Sequence, residues 1–302
     1  MRTDLLFDLV AGESRYHLSL PNGNISYAIA QTTESTTCGT IVLIHGVGSN
    51  ASRWEEFTEN TELRKKWQLL RLDLRGHGAS DSKVKATLEQ HASDIVSVLD
   101  DVGVTKAILI GHSLGAQIAM QTAVLYPDRV AGVVLLDPLV TQALMPSVRA
   151  QKKKRWILIG VEFLARLGNA MGFERRLPHY SLRQHDQHAR EMLSKGGDEL
   201  QAFIKEYSSP LKDLEHIHTA HYVRDLLEVS RDTPHFERFK QPVLVIGASN
   251  GTFTSADKMQ SWIKGLENGA FCVVSCFHWP LTECPQEVSH YIEVWIPQIL
   301  QI

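Results

Sequence analysis

Short apolar runs alternate with helix-spaced apolar positions along the first 138 residues. Thr40–His45 (TIVLIH) is apolar almost without interruption and follows a glycine, the pattern of a strand buried on both faces. Arg15–Leu20 and Ile25–Gln31 read as two strands joined across Pro21-Asn22-Gly23-Asn24, a turn-forming cluster that predicts a hairpin. Trp67–Leu74 is the next strand. A helix follows from Thr87 to about Val102, with Leu88, Ile95, Val98, Leu99 and Val102 at helical spacing. Ala107–Gly111 (AILIG) is a strand, Leu114–Tyr126 a helix stopped by Pro127, and Val130–Leu136 (VAGVVLL) another strand. Strands separated by helices imply βαβ units and a largely parallel sheet.

The alternation stops after Asp137-Pro138. From Leu139 to Phe239 the chain is helical and charge-rich, with no convincing buried strand. Strand and helix then alternate again: Pro242–Gly247 (PVLVIG), a helix over Ser255–Leu266, Phe271–Cys276 (FCVVSC) and a last helix near Gln286–Leu300. Neither group of strands completes a sheet alone. The expected organisation is therefore one α/β core, residues 1–138 and 240–302, interrupted by a helical cap over residues 139–239.

Composition narrows the class. The 302 residues are 43% apolar and 22% charged, with a net charge of −3, so disorder and an electrostatic case for nucleic acid are both poor readings. No continuous apolar stretch is long enough to span a bilayer. The first twenty residues carry Asp4, Asp8 and Glu13 and lack the basic start of a secretory signal. Four cysteines (Cys38, Cys272, Cys276, Cys284) do not make a disulfide framework in so long a chain. A cytoplasmic protein is expected.

The chemistry concentrates at Gly111-His112-Ser113-Leu114-Gly115, a G-x-S-x-G between a strand and a helix. The flanking glycines permit a sharp turn that projects the Ser113 hydroxyl above the sheet. The following helix presents its amino end, and so its N–H groups, to a developing oxyanion. Other landmarks are His45-Gly46, Asp73-Leu74-Arg75-Gly76-His77-Gly78 with Ser80, Tyr126-Pro127-Asp128-Arg129-Val130 and a late His278. In this order they resemble the α/β-hydrolase superfamily over nearly the whole chain, in the manner of a serine esterase or lipase. The resemblance implies an eight-stranded, mostly parallel sheet with a helical lid between strands six and seven. It implies hydrolysis by default, although the superfamily also holds other chemistries and some non-catalytic members.

Serine needs a base, and the base needs an orienting partner. His278 follows the last apolar strand and is the expected base. Members of the superfamily usually carry an aspartate shortly after strand seven, in a G-x-x-D arrangement, but Gly247-Ala248-Ser249-Asn250 puts Asn250 there. A neutral amide cannot stabilise imidazolium as a carboxylate does, and losing that charge costs a serine enzyme roughly 10⁴ in kcat. Either the acid has moved to Asp137, at the end of strand six as in some lipases, or the site is impaired. Asp137 is the expected acid, and Asp257 is a third choice. The resemblance assigns the oxyanion contacts to the backbone N–H groups of Val47 and Leu114. His45 is expected to shape that loop, His77 to belong to the loop after its strand, and His112 to be the variable position of the turn.

Rival chemistries are weaker. Gly46-Val47-Gly48-Ser49-Asn50-Ala51 satisfies a dinucleotide pattern with Asp73 ending the next strand, but the spacing is long and two strands precede it. Cys272, Cys276, His278 and Cys284 are no standard zinc set, and the first two fall on an expected strand. His179, His185, His188, His216, His218 and His221 read as a solvated helical face. Lys152-Lys153-Lys154-Arg155 opens the insertion, followed by Trp156, Gly160, Phe163, Leu164, Leu167 and Met171 at helical spacing. The favoured reading turns that stripe toward the pocket as a lid; the other lays it on a lipid surface.

The expected function is hydrolysis of a carboxylic ester with an apolar portion, through an acyl-enzyme on Ser113. No cofactor and no metal is required, and the partner is a small-molecule ester. Thioester, amide and carbon–carbon substrates remain open, and Asn250 motivates a non-catalytic ligand-binding or signalling protein as the alternative.

Overall fold

In the computed structural model, which describes residues 7–82, 84–173, 175, 177–178, 180–195, 209–234, 238–251 and 253–299, eight strands form one sheet. They are β1 (Glu13–Leu20), β2 (Gly23–Ala30), β3 (Gly39–Ile44), β4 (Trp67–Leu72), β5 (Ala107–His112), β6 (Val130–Leu136), β7 (Val243–Ala248) and β8 (Gly269–Val274). Their spatial order is β1-β2-β4-β3-β5-β6-β7-β8. β2 pairs antiparallel with both β1 and β4, while every pairing from β4 to β8 is parallel. The expected hairpin is present, with Leu20 opposite Gly23.

The apolar runs are continuous because both faces of the sheet are covered, and the side chains divide between them with period two. Val42, Leu109, Leu135 and Val245 join one core, with helices α1 (Leu88–Val102) and α2 (Leu114–Leu125). Ile41, Ile110, Val134 and Ile246 join the other, against Trp54, Phe57 and a C-terminal helix over Pro285–Ile299.

Between β6 and β7 the chain forms Pro146–Gln151, then α3 (Arg155–Ala170), α4 (Leu182–Lys195), a short turn of helix over Pro210–Asp213, and α5 (Thr219–Val229). α6 (Ala256–Ile263) follows β7, and the helix over Pro285–Ile299 is α7. The insertion is fastened to the core by polar contacts. Arg53 pairs with Asp186 of α4, His77 Nε2 lies 2.8 Å from Asp225 Oδ2 of α5, and Arg231 Nη2 lies 2.6 Å from Glu89 Oε1 of α1.

Two expectations change. β8 runs from Gly269 to Val274 rather than to Cys276, because the chain leaves the ladder there: Cys276 N–H donates back to the Val274 carbonyl at 3.0 Å. Cys276 therefore lies in the following loop, while Cys272 stays on the strand. The apolar stripe of α3 faces solvent, not the interior. Trp156 is 71% exposed and Phe163 66%, whereas Glu162 is 1% exposed. The reason is that the inward face of α3 carries the Glu162 carboxylate, which takes hydrogen bonds from Arg166 Nε (2.8 Å) and Arg224 (2.5 Å).

Arg75 ties three segments together. It contacts both Asp94 oxygens on α1, at 2.8 and 2.5 Å, and donates to the Asn22 carbonyl in the hairpin turn. Both side chains are at most 3% exposed. Arg75→Met leaves the buried Asp94 carboxylate without its cation, with only the Gln90 amide still donating to it at 3.0 Å, and is expected to cost about 3–5 kcal/mol in urea unfolding. Arg75→Met with Asp94→Leu should recover most of that loss. Equal losses in the single and double variants would show that the charge pair is not the source.

Candidate active site

The turn after β5 is built on close backbone approach. A Cβ on Gly111 would stand 2.2 Å from the Gly115 carbonyl oxygen, and one on Gly115 would stand 2.3 Å from the Ile44 carbonyl oxygen. Glycine at both positions lets α2 start directly against β5 and β3. Ser113 is thereby held at φ 53°, ψ −112°, and its N–H donates to the Leu136 carbonyl at 3.1 Å. Leu114 is the first residue of α2, so its N–H is among those a helix leaves without an intrahelical partner. Among the described residues, only Ser113 and Asp137 are non-glycine positions with positive φ. Such strain costs of order 1–3 kcal/mol per residue and clusters at functional sites.

Asp137 follows β6 and is 1% exposed. Its Oδ2 lies 2.5 Å from His278 Nδ1, and its Oδ1 accepts from Thr254 Oγ1 at 3.2 Å. Asn250 is exposed, with its Oδ1 accepting from Ser249 Oγ and its N–H donating to the Cys276 carbonyl. Asp257 is exposed on α6. The structure thus brings Asp137 to the imidazole, and neither alternative.

The loop that carries His278 is anchored twice. The Glu283 carboxylate accepts from the N–H groups of Phe277 (3.0 Å), His278 (3.4 Å) and Trp279 (3.1 Å). Burial pushes the Glu283 carboxyl above its ordinary range, while these N–H groups pull the other way. His112 Nε2 donates to the His278 carbonyl at 2.8 Å. Burial holds the His112 imidazole neutral, well below its usual pKa. Sequence reasoning missed Glu283 and Thr254, and treated His112 as merely variable. The only signal was spacing: Glu283 lies five residues past His278, one helical turn into the segment that begins at Pro280.

His45 shapes the loop before Val47, as expected. Leu74 N–H donates to His45 Nε2 at 2.9 Å, which places the ring proton on Nδ1, 2.9 Å from the Gly46 carbonyl that accepts it. Full burial keeps this ring neutral. From the insertion, His216 Nε2 donates to the Gly48 carbonyl at 2.8 Å, and its ring stacks on Tyr180 at 3.7 Å. Burial lowers the His216 pKa to about 4. His218 and His221 are buried, and His185 borders the cavity. The solvated-face reading therefore fails for these histidines, because the insertion folds them onto the core; His188 is exposed yet also borders the cavity, and His179 lies outside the described residues.

Ser113, His278 and Val47 border one cavity of about 290 Å³. Leu139, Leu182, Tyr222, Leu226, Val229 and Phe253 supply apolar and aromatic wall, and Arg53, Lys212 and Asp213 a polar part. Asp73 does not face this space: its oxygens accept from Ala51 and Ala79 N–H groups at 2.8 and 2.9 Å, and burial raises it to about 6. That carboxylate fastens two loops, which removes it as a ribose contact. Among the described residues no group of three or more His, Cys, Asp or Glu could hold a metal ion.

Residues 39–283 match the family described as the alpha/beta hydrolase fold, and the chain belongs to that family. It is 30% identical over 138 residues to a 2-hydroxy-6-oxononadienedioate/2-hydroxy-6-oxononatrienedioate hydrolase of Paraburkholderia phymatum, covering 44% of this chain and 48% of that one. It is 30% identical over 122 residues to an sn-1-specific diacylglycerol lipase of Danio rerio, covering 40% of this chain and 38% of that one. The chain spans less than half the length of these curated relatives. A thermophilic esterase from Thermogutta terrifontis superposes with a TM-score of 0.65 over 95% of this chain and 99% of that chain, at 22% identity, a likeness of fold.

Asp213 offers a test of the cavity's electrostatics. Burial raises its pKa from 3.8 to about 6, against the opposing pull of Tyr222 and Arg53. The folded state therefore binds more protons than the unfolded state between pH 4 and 6, and this group lowers stability as pH rises through that window. Asp213→Asn should gain on the wild type by on the order of 2 kcal/mol between pH 4 and pH 7. Urea unfolding at pH 4, 5, 6 and 7 measures it; parallel profiles would contradict the assignment.

Proposed function

We propose that the chain is a serine hydrolase that cleaves a carboxylic ester with an apolar portion. Ser113 Oγ attacks the carbonyl carbon while His278 takes its proton. Asp137 holds the ring through Nδ1 and stabilises the imidazolium that forms. The N–H groups of Val47 and Leu114 bind the oxyanion. His278 returns the proton to the leaving alcohol, and a water activated by the same ring then clears the acyl-enzyme.

The observation that carries this reading is the 2.5 Å contact between His278 Nδ1 and Asp137 Oδ2, beside the cavity that Ser113 also borders. It supplies the carboxylate whose absence after β7 motivates a non-catalytic reading. The apolar share of the cavity wall supports an apolar acyl or alcohol part. The insertion would act as a lid that keeps water from the serine. The lipase among the relatives supports the same class, and no described helix is long and apolar enough to cross a membrane.

Incubation with a fluorophosphonate should place a covalent adduct on Ser113, read by peptide mass spectrometry, alongside turnover of p-nitrophenyl esters. Ser113→Ala should lose both. A well-folded wild type with neither adduct nor turnover would sink the proposal.

The acid is tested separately. Asp137→Asn should lower kcat by roughly 10⁴, with a much smaller change in KM. Asn250→Ala should leave kcat nearly unchanged. A silent Asp137→Asn, with a strong gain from Asn250→Asp, would reverse the assignment.

A further inference from the structure

α3 is amphipathic in the reverse sense to a core helix. Every exposed residue from Trp156 to Phe173 is apolar or glycine, while Glu162, Arg166 and Asn169 lie on the covered or half-covered side. The largest outward side chains are Trp156, Phe163, Leu164, Met171 and Phe173, each more than 60% exposed. Contiguous apolar surface on this scale marks an interaction site. At sixteen residues the helix is about 24 Å long, too short to cross a bilayer but long enough to lie along one.

Charge identifies the occupant. From Pro146 to Phe173 the only carboxylate is Glu162, and it is turned inward under Arg166 and Arg224. The same stretch carries Arg149, Lys152, Lys153 and Lys154 directly before the apolar face, in a chain whose net charge is −3, while Arg155 is turned inward onto α5. Arg149 and Lys154 are exposed, and Lys152 reaches the Thr141 hydroxyl and the exposed Asp232, the latter at 3.0 Å. A basic flank beside an apolar face with Trp and Phe complements anionic headgroups above an acyl layer. A second copy of this chain fits less well. It would bring another basic flank, and the outward face offers only the Trp156 indole as a hydrogen-bonding side chain, whereas protein interfaces carry about one hydrogen bond per 100–200 Å².

We propose that α3 docks the protein on an anionic phospholipid surface, its apolar side entering the acyl boundary and its basic flank meeting the headgroups. α3 is tied to α5 through Glu162–Arg224 and through Arg155 Nη1, which donates to the Leu227 carbonyl at 2.8 Å. α5 supplies Tyr222, Leu226 and Val229 to the cavity wall. Docking therefore sets the cap side of the cavity next to lipid. This inference rests on the surface of α3 and not on the catalytic reading.

The test is co-sedimentation of the full chain with vesicles of phosphatidylcholine alone, or mixed equally with phosphatidylglycerol, without substrate. The wild type should bind the mixed vesicles, and binding should fall at least about tenfold on pure phosphatidylcholine or in 0.5 M salt. Phe163→Glu with Leu167→Glu should abolish binding, and Lys153→Glu with Lys154→Glu should weaken it about tenfold or more. An unchanged thermal midpoint shows that these variants fold. No binding by the wild type, or binding indifferent to Phe163→Glu with Leu167→Glu, overturns the proposal. So does a self-association in sedimentation velocity that the same double variant abolishes, which would assign the face to a second copy.

Discussion

Bare backbone meets bare backbone where β5 turns into α2, and the geometry of the site follows from that contact. With no Cβ at Gly111 or Gly115, the helix begins in contact with the carbonyl ends of β5 and β3. The chain has room for only a sharp reversal, and Ser113 accommodates it with a left-handed φ of 53°. A residue so placed directs its side chain away from the sheet and leaves the next N–H at the open end of a helix. The second strained residue, Asp137, terminates β6, the strand paired directly with β5. The two strained positions thus stand at the carboxyl ends of adjacent strands, where open parallel sheets place their ligand sites.

Loops complete the arrangement, and buried polar groups hold them. His45 and His112 are neutral because burial disfavours their charged forms, and a neutral ring can donate through one nitrogen and accept through the other. His45 uses both, bracing the Gly46 carbonyl against the Leu74 N–H. His112 and Glu283 grip the main chain of His278 from two sides, one at the carbonyl and the other at the N–H. An imidazole held at its main chain loses little further freedom in meeting Asp137.

The insertion obeys a different balance. It meets the core through ion pairs and hydrogen bonds at Asp186, Asp225, Glu228 and Tyr180 as well as through apolar packing. Once Glu162 is committed to Arg166 and Arg224, the polar side of α3 faces inward and the apolar side is left outward. An amphipathic pattern fixes two faces but not which of them is covered, so the stripe was visible in the sequence while its direction was not.

The sheet is legible in the chain's own pattern, because a strand covered on both faces must be apolar at nearly every position, and Thr40–His45, Val130–Leu136 and Pro242–Gly247 can be little else. So is the strand–glycine–serine–glycine–helix turn, a local motif whose neighbours in space are its neighbours in the chain. Asp137 was readable only as one of several carboxylates, since Asp137 and His278 are 141 residues apart and meet only when β6 and the loop after β8 align, beside the cavity that Ser113 also borders. Folding in three dimensions settled the rest: Asn250 points to solvent, Thr254 and Glu283 support the His278–Asp137 pair, and His216 reaches Gly48. These are contacts between segments up to 168 residues apart, and hydrogen bonds leave no periodic trace in a chain as burial does.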